Sequence, residues 1–254
     1  VEKMGYKGII AEGADHVLQW RSPNFLYRPQ GTENIKLLLK NYRLSDDIAF
    51  RFSSKEWNEH PLTAPKFANW VSQVNGGGNV VNLFMDYETF GEHQWEDTGI
   101  FNFLRHLPDE IYKNPDNNFV TPSEAIERYD PVSELDVHHF MSWADVERDL
   151  SAWISNAMQH DALQSVYRLE NDVLATNNPR LIEDWRKLQT SDHFYYMCTK
   201  WFNDGDVHKY FNPYNTPYEA FIAYMNALQD LKLRIHNYQP SASQLVDIPI
   251  HHIS

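Results

Sequence analysis

The chain has 254 residues, 42% of them hydrophobic and eight of them Trp, which suits one large α/β domain or a barrel-like domain with a smaller helical companion. A formal charge of −13 argues against general binding to nucleic acid or to an anionic membrane, both of which need a positive surface, and leaves a neutral or polar partner. Cys198 is the single cysteine, so neither an intramolecular disulfide nor a cysteine metal cluster can form. That fits a reducing, cytoplasmic compartment, and no apolar run approaches the roughly 20 residues of a membrane span.

In chain order, VEKMGYKG reads as the last turn of a helix stopped by Gly5, leading into a strand over Lys7 to Glu12. Because the chain opens on Val1 in mid-pattern, further sequence is expected before it, and a signal peptide could lie there. Further strands are predicted at Ile35 to Lys40, Ile48 to Phe52, Val80 to Met85 and Phe119 to Thr121, with helices between them at Pro61 to Val74 and Gly99 to Asn114. This alternation predicts a mainly parallel sheet with crossover helices over residues 1–140. Beyond Asp130 the strand signal stops. Ser142 to Thr176, Pro179 to Trp201 and Pro217 to Tyr238 carry apolar residues at three and four spacing, so residues 141–238 are expected to be packed helices, with 239–254 a tail. Capping boxes are expected at Thr121-Pro122 with Glu124, Ser142 with Asp145, and Thr216-Pro217 with Glu219.

The stretch from Val80 to Trp95, VVNLFMDYETFGEHQW, combines an apolar run with a sudden cluster of ionisable and aromatic groups. Read as a strand buried on both faces, it ends with Asp86 and Glu88 projecting to one side. Functional side chains collect at the carboxyl ends of such strands, and Gly91 allows a turn that returns Glu92, His93 and Trp95 to the same mouth. A lone strand-end Asp is commonly a solvated terminus or a helix cap. Three carboxylates, a His and a Trp within ten positions carry repulsion and desolvation costs that a structural loop has no reason to accept.

At these residues the chain resembles a known family. MDYETFGEHQW at Met85 to Trp95 is similar to the fourth signature region of glycoside hydrolase family 57, in its α-amylase branch. AEGADHVLQWRSPNFLYR at Ala11 to Arg28, SWADVERDLSAW at Ser142 to Trp153 and QTSDHFYYMCTKW at Gln189 to Trp201 are similar to further stretches of that branch, in the same order. The resemblance implies part of an incomplete (β/α)7 barrel followed by a helical region, and a retaining attack on α-1,4-glucosidic bonds of an α-glucan polysaccharide or oligosaccharide. It implies Asp86 as the general acid/base. It also implies a nucleophilic Glu in a segment before the stretch matching Val1 to Glu12, so the sequence is expected to be the second part of a longer catalytic domain, inactive or nearly so alone.

Retaining hydrolysis needs two carboxyl groups about 5–5.5 Å apart, one protonated and one ionised. An apolar strand and nearby negative charge would raise the pKa of Asp86 into its role. Glu12, at an earlier strand end, is the rival nucleophile within the chain, although a strand-end Glu commonly just meets a loop backbone. His93 can donate to a sugar hydroxyl or to Asp86, or be a hydrogen-bonded structural His. Trp20, Trp95 and Trp143 offer flat faces for stacking on pyranose rings, whereas Trp153 fits a core stripe. Glu88, His16, Arg21 and Asp145 complete the candidate substrate contacts, Asp145 being equally suited to capping. No metal and no cofactor are expected, and oligomeric state is not written in these patterns. Two other functions fit the same residues. One is a metal-dependent carbohydrate deacetylase using Asp86, Glu88 and His93, although no His pair stands at H-x-x-x-H spacing. The other is a glucan-binding protein that does not cleave.

Overall fold

The computed structural model describes residues 1–144, 147–200 and 212–239. The chain divides into two compact units, Val1–Trp143 and Ala144–Ser254.

In the first unit a 3-10 turn at Glu2–Met4 ends on Gly5, whose φ of 87° needs a residue without a side chain. Two strands follow the sequence expectation: β1 (Gly8–Ala11) pairs in parallel with β3 (Lys36–Leu39), Ile9 facing Leu37 and Ala11 facing Leu39. Between them lie a short helix α1 (Asp15–Leu18) and the two-residue strand β2 (Arg28–Pro29). β2 pairs in parallel with β4 (Glu134–Leu135), a short strand beyond Asp130 where none was expected, and Tyr27 bridges antiparallel to Leu37. The mainly parallel sheet expected from the sequence is thus two parallel pairs, and among the described residues these strands close no barrel.

Three predicted strands are corrected. Ile48 to Phe52 is not a strand: Ile48 and Ala49 close helix α2 (Tyr42–Ala49), which starts where the Asn41 side chain accepts from the Leu44 amide. Leu44 and Ile48, four apart on the helix, face the core together, and Phe52 joins the same core from the turn that follows the helix. Val80 to Met85 is extended but half-buried, and joins β3 only through a parallel bridge from Lys40 to Asn82. The ladder fails for a local reason. The Asn82 side-chain amide takes the Leu39 carbonyl, and past Asn82 the segment runs beside α2, where the Phe84 amide donates to the Ser45 hydroxyl. Phe119 to Thr121 is a connector without a strand, ending at the N-cap of α5 (Pro122–Arg128).

The helices α3 (Ala64–Ser72) and α4 (Ile100–Tyr112) fall inside their expected ranges. They share a core with α2 in which Phe67, Phe52 and Phe103 meet edge to face, with Leu83 and Met85 packed on its side. The Thr121 capping box is present in both directions, and Lys36 donates to the Ile126 and Tyr129 carbonyls at the other end of α5.

Among the described residues of the second unit the helices are α6 (Ser151–Ile154), α7 (Ala157–Arg168), α8 (Glu170–Ala175), α9 (Pro179–Lys187), α10 (Ser191–Tyr195) and α11 (Pro217–His236). The run predicted from Ser142 to Thr176 is therefore three helices, the first starting at Ser151. A box of Asn156 and Gln159 restarts the chain at α7, and the buried Gln159 amide donates to the Ala152 and Phe194 carbonyls. Trp185 and Tyr224 lie in the core with their polar atoms satisfied by the Val166 and Leu188 carbonyls, and Trp153 packs against that core as its stripe predicted. Thr216 caps α11 by accepting from the Glu219 amide, but the Glu219 carboxylate accepts from Asn215, one residue before the expected partner. Asp145, with its expected cap on Ser142, lies outside the described residues, as do Trp201 and the tail from residue 240.

Candidate active site

The carboxyl ends of three neighbouring chain segments carry the charged groups of the first unit. Glu12 follows β1, Lys40 follows β3, and Asp86 ends the extended segment that bridges to Lys40 through Asn82. Glu12 and Lys40 are nearly enclosed, their ion pair is 3.6 Å, and Asp46 of α2 lies 3.7 Å from the same ammonium. Glu12 also accepts from the Gly13 amide at 2.8 Å. The backbone is tight here: a Cβ on Gly13 would lie 2.1 Å from the Lys40 carbonyl oxygen.

Beyond Asp86 the chain does not continue as a strand, so the strict alternation expected for Asp86 and Glu88 is replaced by a 3-10 turn over Tyr87–Thr89. The Glu92 and His93 amides both donate to the Glu88 carbonyl, and Gly91 at φ 115° closes the loop. Gln94, buried, donates to the Ala49 carbonyl at the end of α2 and fixes the loop to the core. This compact loop brings Glu88 and His93 to Asp86. Asp86 itself is exposed, but the protein around it partly desolvates the carboxyl and, with the negative charge of Glu88, pushes it above the usual carboxylate range, while His93 and Lys40 pull it back.

The aromatic candidates separate. Trp143 lies over the Lys40 ammonium, 4.8 Å from ring centroid to nitrogen, and stays 44% exposed. Trp95 follows the Asp86 loop and is exposed. Trp20, 86% exposed, stacks with Arg21 rather than with any residue of the Asp86 group. His16 and Arg21 face a different cavity of about 190 Å³, shared with Asp136, His138 and His139, where His138 pairs with Asp136 at 2.9 Å. Another cavity, of about 340 Å³, is lined by Ile10, Leu38, Val80 and Phe119 among others and includes none of the candidates.

Lys40 and Asp46 were not singled out from the sequence. A signal existed: a Lys ending the buried run Ile35 to Leu39 must find carboxylates or expose its head group. Among the described residues no group of three or more His, Cys, Asp or Glu side chains is arranged to hold a metal ion, and no helix is long and apolar enough to cross a membrane.

Comparison with known proteins identifies the fold that carries this rim. The chain is 44% identical over 242 residues to the "Putative alpha-amylase" of Methanocaldococcus jannaschii, a match covering 91% of the chain and 51% of that protein. Its structure resembles that of a GH57 branching enzyme from the hyperthermophilic archaeon Thermococcus kodakaraensis, with a TM-score of 0.59 and 15% identity over 93% of the chain and 53% of that enzyme. The chain thus spans about half the length of these relatives. The sequence pattern of Glycosyl hydrolase family 57 matches residues 1–138, more than half of the chain, and the chain belongs to that family.

Proposed function

We propose that this chain carries the acid/base half of a retaining glycoside hydrolase acting on α-1,4-linked glucans, with Asp86 as the acid/base and the nucleophilic Glu contributed by sequence outside these 254 residues. The observation that carries the reading is the location of Asp86. It ends the segment whose Asn82 bridges to Lys40, where Glu88, His93 and Lys40 all act on its charge and the net effect holds its carboxyl above the ordinary range. Family membership and the resemblance to a protein described as an α-amylase support the substrate class.

In the first half-reaction the Asp86 proton passes to the glycosidic oxygen as its bond to the anomeric carbon breaks, and the nucleophilic carboxylate bonds to that carbon. In the second, the Asp86 carboxylate takes a proton from water, and the water oxygen displaces the nucleophile. Glu12 is poorly suited to be that nucleophile. Its side chain is 2% exposed and paired with Lys40, so reaching an anomeric carbon would mean breaking a buried ion pair. Glu88, His93, Trp95 and Trp143 are proposed as sugar contacts around Asp86. His16, Trp20 and Arg21 are proposed as contacts further along the glucan, and Asp145 is proposed from the sequence alone as a substrate contact.

In the full-length protein, Asp86→Asn should lower reducing-sugar release from amylose about 10²–10⁴-fold while maltopentaose binding persists. An unchanged rate overturns Asp86 as the acid/base. Binding without turnover in the wild type would instead favour a glucan-binding protein that does not cleave. The metal-dependent deacetylase is the weaker reading, because no three-ligand cluster forms around Asp86, Glu88 and His93. Loss of activity with a chelator would restore it.

A further inference from the structure

A lysine with only 5% of its surface exposed, at the end of a strand and among three partners from different parts of the chain, is costly to keep charged. Lys40 meets that cost with Glu12 after β1 and Asp46 on α2, at 3.6 and 3.7 Å. Two carboxylates against one ammonium satisfy its charge, so the ring above it adds something else. Trp143 lies 4.8 Å above the ammonium yet keeps 44% of its surface open, so the ring is anchored from beneath and still presents an apolar area to solvent.

We propose that Lys40 is a positioning residue of the glucan site, a buried ammonium that holds the Trp143 ring as a fixed stacking wall for a pyranose beside the Asp86 rim. This rests on the glucan-hydrolase reading for the identity of the sugar, but the anchoring of the ring does not. An indole held by a desolvated cation loses little freedom when a sugar docks on it, whereas an unanchored surface Trp must be ordered by the ligand. The ammonium also belongs, with Glu88 and His93, to the charges acting on Asp86.

The test uses the full-length protein labelled with 5-fluorotryptophan, with the Trp143 signal assigned through Trp143→Phe. Removing the cation alone would leave Glu12 and Asp46 facing each other, so Lys40→Met is paired with Glu12→Gln, which keeps the local charge unchanged. The double variant should shift and broaden the Trp143 fluorine signal and weaken maltopentaose binding about three- to tenfold relative to Glu12→Gln alone. A folded double variant with wild-type signal and affinity overturns the proposal. If the double variant does not fold, Lys40→Arg decides. Retention of signal and affinity supports a charge-based anchor, and displacement of the ring overturns it, because shape rather than charge would then fix the indole. Binding requires no bond cleavage. A wild type that binds no maltopentaose would refute the glucan reading, leaving the fluorine signal to judge the anchor by itself.

Discussion

The charge on Asp86 is set by partial desolvation and three charged neighbours with opposite effects. Burial and Glu88 favour the protonated acid, and His93 and Lys40 favour the carboxylate, with a net upward shift. A general acid works while protonated, so the activity it supports holds below its pKa and falls as pH rises through it. Glu88→Gln removes the like charge and should bring the Asp86 pKa back toward the usual range. The alkaline limb of kcat/KM in the full-length enzyme should therefore move to lower pH, followed in parallel by carbon-13 titration of the Asp86 carboxyl. An alkaline limb that stays in place, or moves upward, contradicts the assignment. The linkage to stability has the same sign. An acid with a folded pKa above its unfolded value loses stability as it ionises, so the variant should lose less on passing through that range. Asp86, Glu88 and His93 could be grouped from sequence because a tight loop joins them. Lys40 could not, since its partners Glu12 and Asp46 are distant or unremarkable in the chain until β1, β3 and α2 bring them together.

At the scale of elements, the sequence was most legible where local chemistry acts alone. The Gly5 stop, the Thr121 box, strands β1 and β3, and helices α3, α4 and α11 all depend on neighbours within a turn or on a clear apolar period. It failed where one apolar run suits two structures: Ile48 to Phe52 has strand-forming residues, but the helix capped by Asn41 takes Ile48 and Ala49 and ends in a turn over the rest. Val80 to Met85 failed differently, because Asn82 and Ser45 supply by side chain the hydrogen bonds that a strand would have made by backbone. Gly13 was likewise read only as part of a quoted stretch, yet it is where the backbone after β1 passes closest to β3. A Cβ there would meet the Lys40 carbonyl at 2.1 Å and the Pro23 side chain at 3.1 Å, and neither backbone can yield without moving Glu12 or Lys40. Gly13→Ala should cost about 1–3 kcal/mol in urea unfolding and weaken maltopentaose binding in the fraction that folds. A variant as stable as wild type would show that the loop after β1 is softer than this contact implies.

For the molecule as a whole, the chain's share of its relatives' length bears on whether it can act alone. A retaining mechanism needs its second carboxylate across the sugar from the acid, about 5–5.5 Å away. The carboxylates near Asp86 among the described residues do not meet that demand. Glu12 and Asp46 are paired with Lys40, and Glu88 sits in the turn that directly follows Asp86. On the proposed role of Asp86, the 254-residue polypeptide should bind an α-glucan weakly and release reducing ends at a rate at least about 100-fold below that of a longer protein that supplies the nucleophile. The comparison requires both polypeptides folded, which circular dichroism establishes, and assayed on the same amylose. Full turnover by the short chain would place both carboxylates inside it, and Glu12→Gln would then be the first variant to make. Abolition of turnover in that variant would mean that the ion pair with Lys40 opens when substrate arrives.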